Sequence, residues 1–141
     1  MVPGPIVIIE DDEDDREIIE EVLKELNIPN KTVWFTRCAK AFDYLQTSTE
    51  QPFVILCDVN LPGLSGREFK KQIDDDEVLK KKGIPFVFFT TAANKSFVDE
   101  AYMELTVQGY FKKANSYNET KNIVRAILEY WKYCKHPNVV D

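Results

Sequence analysis

Phe53-Val54-Ile55-Leu56-Cys57-Asp58-Val59-Asn60-Leu61-Pro62-Gly63-Leu64-Ser65-Gly66 contains two structural elements and the bend between them. Its first five residues form an unbroken apolar run rich in β-branched and aromatic side chains, which suits a strand covered on both faces. Pro62 and Gly63 are turn residues. Ser65 followed by Glu68 has the spacing of a capping box, and Phe69 and Ile73 continue at helical intervals, so a helix starts here. A strand buried on both sides and followed by a helix belongs to a parallel sheet sandwiched between helical layers.

The same unit recurs on either side. Apolar runs at Ile6 to Ile9, Thr32 to Phe35, Phe86 to Phe89 and Tyr110 to Phe111 are each followed by apolar residues at helical spacing. Those stripes are Ile18, Ile19, Val22, Leu23 and Leu26; Cys38, Ala41, Phe42 and Leu45; Phe97, Val98, Ala101, Tyr102 and Leu105; and Ile123, Val124, Ile127, Leu128 and Trp131. Ser116 with Glu119 repeats the capping-box spacing before the last of them. The pattern predicts an α/β fold, (βα) five times over, with right-handed crossovers placing helices on both faces of a five-stranded parallel sheet.

At 141 residues and 44% hydrophobic, the chain suits one core, so a single domain over 1–141 is expected, with a core of about 5–134 and a short tail at 135–141. Cys38, Cys57 and Cys134 are odd in number and lack Cys-x-x-Cys spacing, which points to a reducing compartment rather than a disulfide scaffold. No apolar run approaches the roughly 20 residues of a membrane span, and Met1 to Pro5 lacks the features of a signal peptide. A soluble, cytoplasmic protein without a membrane partner is expected.

The net charge of -6 comes from one place. Glu10, Asp11, Asp12, Glu13, Asp14 and Asp15 are six consecutive acids, and outside them acids and bases balance. No broad basic stripe remains for nucleic acid. Asp12 to Asp15 read as a solvated cap favoured by the helix dipole. Glu10 and Asp11 carry more weight because of where other polar groups fall.

Ligands and chemistry in such sheets gather at the carboxyl ends of the strands. The first strand ends at Glu10 and Asp11, the third at Asp58, the fourth at Thr90 and Thr91, and the fifth at Lys112 and Lys113. Carboxylates about 5 Å apart repel by roughly 3 kcal/mol per pair at an effective dielectric of about 20, so the cluster calls for a cation. Hard oxygen ligands suit Mg2+ better than zinc.

The acid pair after the first strand, Asp58-Val59-Asn60 with Leu61-Pro62-Gly63 and Gly66 after the third, Thr90 after the fourth and Gly109-Tyr110 with Lys113 at the fifth together resemble the response-regulator receiver (CheY-like) family of two-component signalling. The resemblance covers nearly the whole chain. It implies the flavodoxin-like strand order 2-1-3-4-5 and a phosphorylation-dependent regulator rather than a conventional enzyme, one that catalyses its own phosphorylation and its own dephosphorylation. Asp58 matches the phosphoacceptor. Glu10 and Asp11, with Asp58 and the Asn60 main-chain carbonyl, match the site for Mg2+, for which Mn2+ can substitute. Thr90 matches the hydroxyl that moves to the phosphoryl group, Lys113 the ammonium that pairs with it, and Tyr110 the aromatic that swings inward as a switch. The implied partners are a sensor histidine kinase or histidine phosphotransfer protein upstream; output passes either to a downstream protein that reads the face made by the fourth crossover helix, the fifth strand and the last helix, or to a histidine that takes the phosphoryl group in a relay.

The chain departs from the family pattern in three ways. Ala114 stands where proline usually follows the lysine, and a trans Lys113–Ala114 peptide is expected, because a non-proline cis bond costs roughly 3 kcal/mol. Thr91 stands where a smaller residue is usual and can narrow access to Asp58. Glu10 replaces the commoner aspartate and favours a water-mediated metal contact. His136, alone in a short tail, has no partners for a metal site and no obvious nucleophile beside it, and Cys57 reads as packing.

Rival classes fit less well. A haloacid-dehalogenase-type phosphatase needs an acid two residues past the nucleophile, where this chain has Asn60. Neither a Gly-x-Gly-x-x-Gly turn nor a Gly-x-x-x-x-Gly-Lys loop is present for a nucleotide. The alternative that stays open is a phosphorylation-independent interaction module on the same fold. With little chain left after the last helix, a stand-alone receiver without an output domain is expected.

Overall fold

A computed structural model describes residues 2–139. Met1, Val140 and Asp141, which the expected domain and tail include, lie outside the described residues. The elements run β1 (Ile6–Ile9), α1 (Glu13–Glu25), β2 (Thr32–Phe35), α2 (Cys38–Thr47), β3 (Val54–Cys57), α3 (Gly66–Asp75), α4 (Glu77–Lys82), β4 (Phe86–Thr90), α5 (Lys95–Met103), β5 (Gly109–Lys112) and α6 (Tyr117–Glu129), then a 3-10 turn at Tyr130–Lys132. The strands form one parallel sheet in the order β2-β1-β3-β4-β5, as expected.

Alternation along the strands sorts the core into two layers. Ile6, Ile8, Val54, Leu56, Val87 and Phe89 face α1 and α6, where Ile19, Val22, Leu23, Val124, Ile127 and Leu128 close the layer. Val7, Ile9, Ile55, Cys57, Phe86 and Phe88 point the other way, onto Ala41, Leu45, Phe69, Ile73, Leu79 and Ala101 of the remaining helices. All four residues of β1 and of β3 are buried, and burying each such aliphatic side chain contributes about 1.5–3 kcal/mol. The central strands are thereby held rigidly, and so are the residues at their ends.

The third crossover differs from the expected single helix. Asp76 ends α3, its N–H donating to Gln72 and Ile73 carbonyls, and in the same place caps α4, its carboxylate accepting from the Leu79 N–H at 3.0 Å. The two helices abut with no intervening loop. Gly83 closes α4 at φ +61°, in the left-handed region where glycine is unstrained, and Lys80, Lys81 and Lys82 occupy that last turn, where cations favour the helix dipole.

Caps fix the helix starts beside the site. Asp12 accepts from the Asp15 N–H at 3.0 Å and begins α1. Ser65 and Glu68 form the reciprocal capping box expected of them. Ser116 makes only one half of that arrangement, accepting from the Glu119 N–H.

The tail folds back on the sheet, and His136 in it is buried and hydrogen-bonded. Its Nε2 lies 2.6 Å from the Phe53 carbonyl, its Nδ1 accepts from the Asn138 N–H at 2.9 Å, and its ring packs on Trp131 and Phe53. Asn138 Nδ2 donates to the Pro3 and Gln51 carbonyls at 2.9 Å. The tail therefore clasps the amino-terminal foot of the sheet. A lone histidine in a short polar segment gives no pattern by which this could be read. Among the described residues no helix is long and apolar enough to cross a membrane.

Candidate functional site

Asp58 follows the last residue of β3, and its backbone N–H still donates to the Ile9 carbonyl at 3.1 Å, so the phosphoacceptor candidate is held by the central sheet. Its carboxylate is almost buried, and each oxygen has partners. Oδ1 accepts from Thr90 Oγ1 at 2.6 Å and from the Asn60 N–H at 3.2 Å, while Oδ2 accepts from Lys113 Nζ at 2.8 Å. Gly66 at the start of α3 lies directly behind it, where a Cβ would stand 2.2 Å from the Asp58 carbonyl oxygen.

Lys113, one residue past β5, reaches across the mouth. Its ammonium bonds Glu10 Oε1 at 2.5 Å and Asp15 Oδ2 at 2.7 Å as well as Asp58. Burial alone would lower its pKa, but hydrogen bonds to Asp15, Asp58 and Glu10 outweigh that and hold it well above the ordinary lysine value. Glu10 is pushed toward its neutral form. Burial raises its pKa to about 7, against the Lys113 hydrogen bond and charge, and the nearby Asp58 charge adds to the rise. With several carboxylates sharing one ammonium, the deepest of them holds a proton most readily.

Glu10, Asp11 and Asp58 each present a carboxylate oxygen within 4.8 Å of the other two, a spacing at which three hard oxygens could hold one divalent cation. The Glu10 contact to Lys113 is direct, and its other oxygen accepts the Asp12 N–H at 3.2 Å. Thr91 is exposed beside the buried Thr90. The Lys113–Ala114 peptide is trans, as no cis bond occurs among the described residues, and Lys113 nonetheless reaches Asp58.

Thr90 and Tyr110 are tied to the site by hydrogen bonds. Thr90 already bonds Asp58, because a bare carboxylate oxygen accepts its hydroxyl as a phosphoryl oxygen would. Thr90 Oγ1 also accepts the Ala92 N–H at 3.2 Å. The Tyr110 hydroxyl donates to the Ala92 carbonyl and its ring rests on Phe88, half-buried, with burial raising its pKa. Asp58, Thr90, Ala92 and Tyr110 thus form one continuous polar chain from the site to β5.

Asp15 belongs to the site although the sequence reading left it on a solvated cap. Its place in the first turn of α1 was legible, but its reach to Lys113 was not. Arg67, which the sequence reading did not single out, stacks over Phe97 at 4.2 Å and bonds Glu100 at 3.2 Å, tying α3 to α5.

The family model for the response regulator receiver domain matches residues 6–125. The chain belongs to that family. Among the receivers similar to it is Response regulator Rcp1 of Synechocystis sp., 32% identical over 134 residues, covering 92% of this chain and 89% of that one. The probable methanogenesis regulatory protein FilR2 of Methanothrix harundinacea is 29% identical over 133 residues, covering 92% and 84%. Two solved receivers superpose closely. The phosphorylated cyanobacterial phytochrome response regulator RcpA gives a TM-score of 0.84 and the Mn2+-bound form of Rcp1 gives 0.83, each 30% identical and each covering 96% of this chain and 99% of the other. Receivers are signalling modules of two-component systems rather than conventional enzymes, and they work with histidine kinases or phosphotransfer proteins.

Proposed function

We propose that this receiver is a phosphorylation-dependent response regulator, a single domain in which Asp58 accepts a phosphoryl group from a phosphohistidine. The observation that carries this reading is that Asp58 is bonded at once to the Lys113 ammonium at 2.8 Å and the Thr90 hydroxyl at 2.6 Å, beside the Glu10 and Asp11 carboxylates. A nucleophilic carboxylate, a fixed cation and a hydroxyl donor are the protein groups that such a transfer needs.

Glu10, Asp11, Asp58 and the Asn60 carbonyl fit Mg2+ or Mn2+, because all are hard oxygen donors and three of them already converge. A cation held there supplies neutralising charge to the phosphoryl oxygens. That Rcp1 has a Mn2+-bound form supports a divalent cation as the ligand. An Asp58 oxygen attacks phosphorus, the P–N bond to the donor imidazole breaks, and the imidazole leaves with the electron pair and takes up a proton. Lys113 then pairs with a phosphoryl oxygen, and the Thr90 hydroxyl passes from the Asp58 carboxylate to another. The Ala92 N–H and carbonyl follow Thr90 and draw on the Tyr110 hydroxyl, which alters the face made by α5, β5 and α6. A downstream protein reads that face. The partners are proteins of the cytoplasm, with no nucleic acid or membrane involved.

Acetyl phosphate and a phytochrome-type histidine kinase are the donors to test, the latter because RcpA is described as a phytochrome response regulator. With Mg2+ present, wild-type protein is expected to gain one phosphoryl group by intact mass, and Asp58→Asn none. Undiminished labelling of that variant would refute the assignment.

A further inference from the structure

The Lys113 ammonium has three hydrogens, and three carboxylates accept from it: Glu10 at 2.5 Å, Asp15 at 2.7 Å and Asp58 at 2.8 Å. These three partners are not equivalent. Glu10 and Asp58 belong to the cluster whose oxygens lie within 4.8 Å of one another and of Asp11, whereas Asp15 does not. The second oxygen of each contested carboxylate is already engaged, on Glu10 by the Asp12 N–H and on Asp58 by Thr90 and the Asn60 N–H. A cation drawing on Glu10 and Asp58 therefore competes with Lys113 for the oxygens the ammonium now holds.

Lys113 is itself largely enclosed in the site. Its side chain is 10% exposed, and an ammonium stripped of its partners at that depth is costly. Asp15 is placed to prevent this. Its N–H is pinned to the capping carboxylate of Asp12, and its own side chain, 35% exposed, reaches Lys113 from the rim of α1.

We propose that Asp15 is a positioning residue that keeps hold of Lys113 when a divalent cation takes Glu10 and Asp58, so that binding exchanges partners instead of stranding a charge. This rests on the metal reading given above and assigns a role to a residue outside the metal cluster. It also accounts for part of the acidic run. Asp12 caps the helix, Glu10 and Asp11 face the cation, and Asp15 retains the lysine.

The test is a double-mutant cycle on Mg2+ affinity, measured by calorimetry at fixed ionic strength, with circular dichroism confirming that each variant folds. Asp15→Ala is expected to weaken Mg2+ binding roughly tenfold, a usual size for groups that support a metal site indirectly. Asp15→Glu, which restores a carboxylate, is expected to recover most of the loss. In a Lys113→Ala background, Asp15→Ala is expected to change affinity by less than about threefold, because the group it positions is gone. If the tenfold loss persists in that background, Asp15 acts on the cation as a remote charge and the proposal is overturned. Unchanged affinity in Asp15→Ala, with wild-type binding intact, overturns it while leaving the metal reading standing. Absence of Mg2+ binding in the wild type overturns both.

Discussion

Gly66 and Asp58 are so close that a methyl group on the first would stand 2.2 Å from the carbonyl oxygen of the second. The Gly66 N–H also donates to the Val59 carbonyl at 2.9 Å, so the start of α3 cannot retreat without breaking that bond. Gly66→Ala is expected to cost about 1–3 kcal/mol, as overpacking does, and to slow labelling of Asp58 by acetyl phosphate. Urea unfolding and intact-mass kinetics check the two effects. An alanine variant matching the wild type in both would mean that α3 moves freely relative to β3.

Glu10 predicts a pH dependence with a definite sign. Its folded pKa is raised from 4.5 to about 7 by burial, so the folded state holds a proton that the unfolded chain releases earlier. Stability from this group is greatest below about pH 4.5, falls as pH rises, and levels off above about pH 7. Compared with Glu10→Gln in metal-free buffer, the wild type is therefore expected to lose stability progressively across that window. A difference between the two that is flat with pH would contradict the assignment.

His136 titrates with the opposite consequence. Burial lowers its pKa, so the folded protein keeps the ring neutral and stability is lost as pH falls through the region where the unfolded histidine protonates. Replacing the ring with His136→Ala leaves the Phe53 carbonyl unpaired and a hole against Trp131, and is expected to cost about 2–4 kcal/mol. Denaturant melts between pH 5 and about pH 8 measure both. A variant equally stable and equally sensitive to acid would show that the clasp carries no weight.

The three thiols should separate cleanly by reactivity. Cys38 and Cys57 are buried, and burial pushes the Cys57 thiol well above its ordinary pKa, whereas Cys134 is partly exposed. One thiol per folded chain is expected to react promptly with a disulfide reagent and three after unfolding. Prompt reaction of Cys57, located by peptide mapping, would contradict its placement in the core.

The parts of the fold that repeat were legible. Ile6 to Ile9 and Thr32 to Phe35 coincide with β1 and β2, because continuous apolar runs of that length have few other uses. Pairing around Asp58 was legible as well, since strand ends in a parallel sheet share one edge. What escaped depends on contacts far apart in sequence. Nothing in the composition of Lys135 to Asn138 tells that His136 folds beneath Phe53, and the split into α3 and α4 turns on Asp76 serving two helix ends at once. Asp15 was assigned to solvent because charge density near a helix start has an ordinary explanation, and only its reach to Lys113 distinguishes it.

Asp58 and the clasped histidine sit at opposite ends of β3, the latter bonded to Phe53 at the strand's foot. At about 3.3 Å per residue, the five steps between Phe53 and Asp58 span roughly 17 Å of hydrogen-bonded strand. A surface or dye attached on the carboxyl-terminal side would thus be anchored at the floor of the sheet, with the acidic rim turned away from it. Sensor chips and fluorescent reporters prepared in that orientation leave the reacting edge open to a docking kinase.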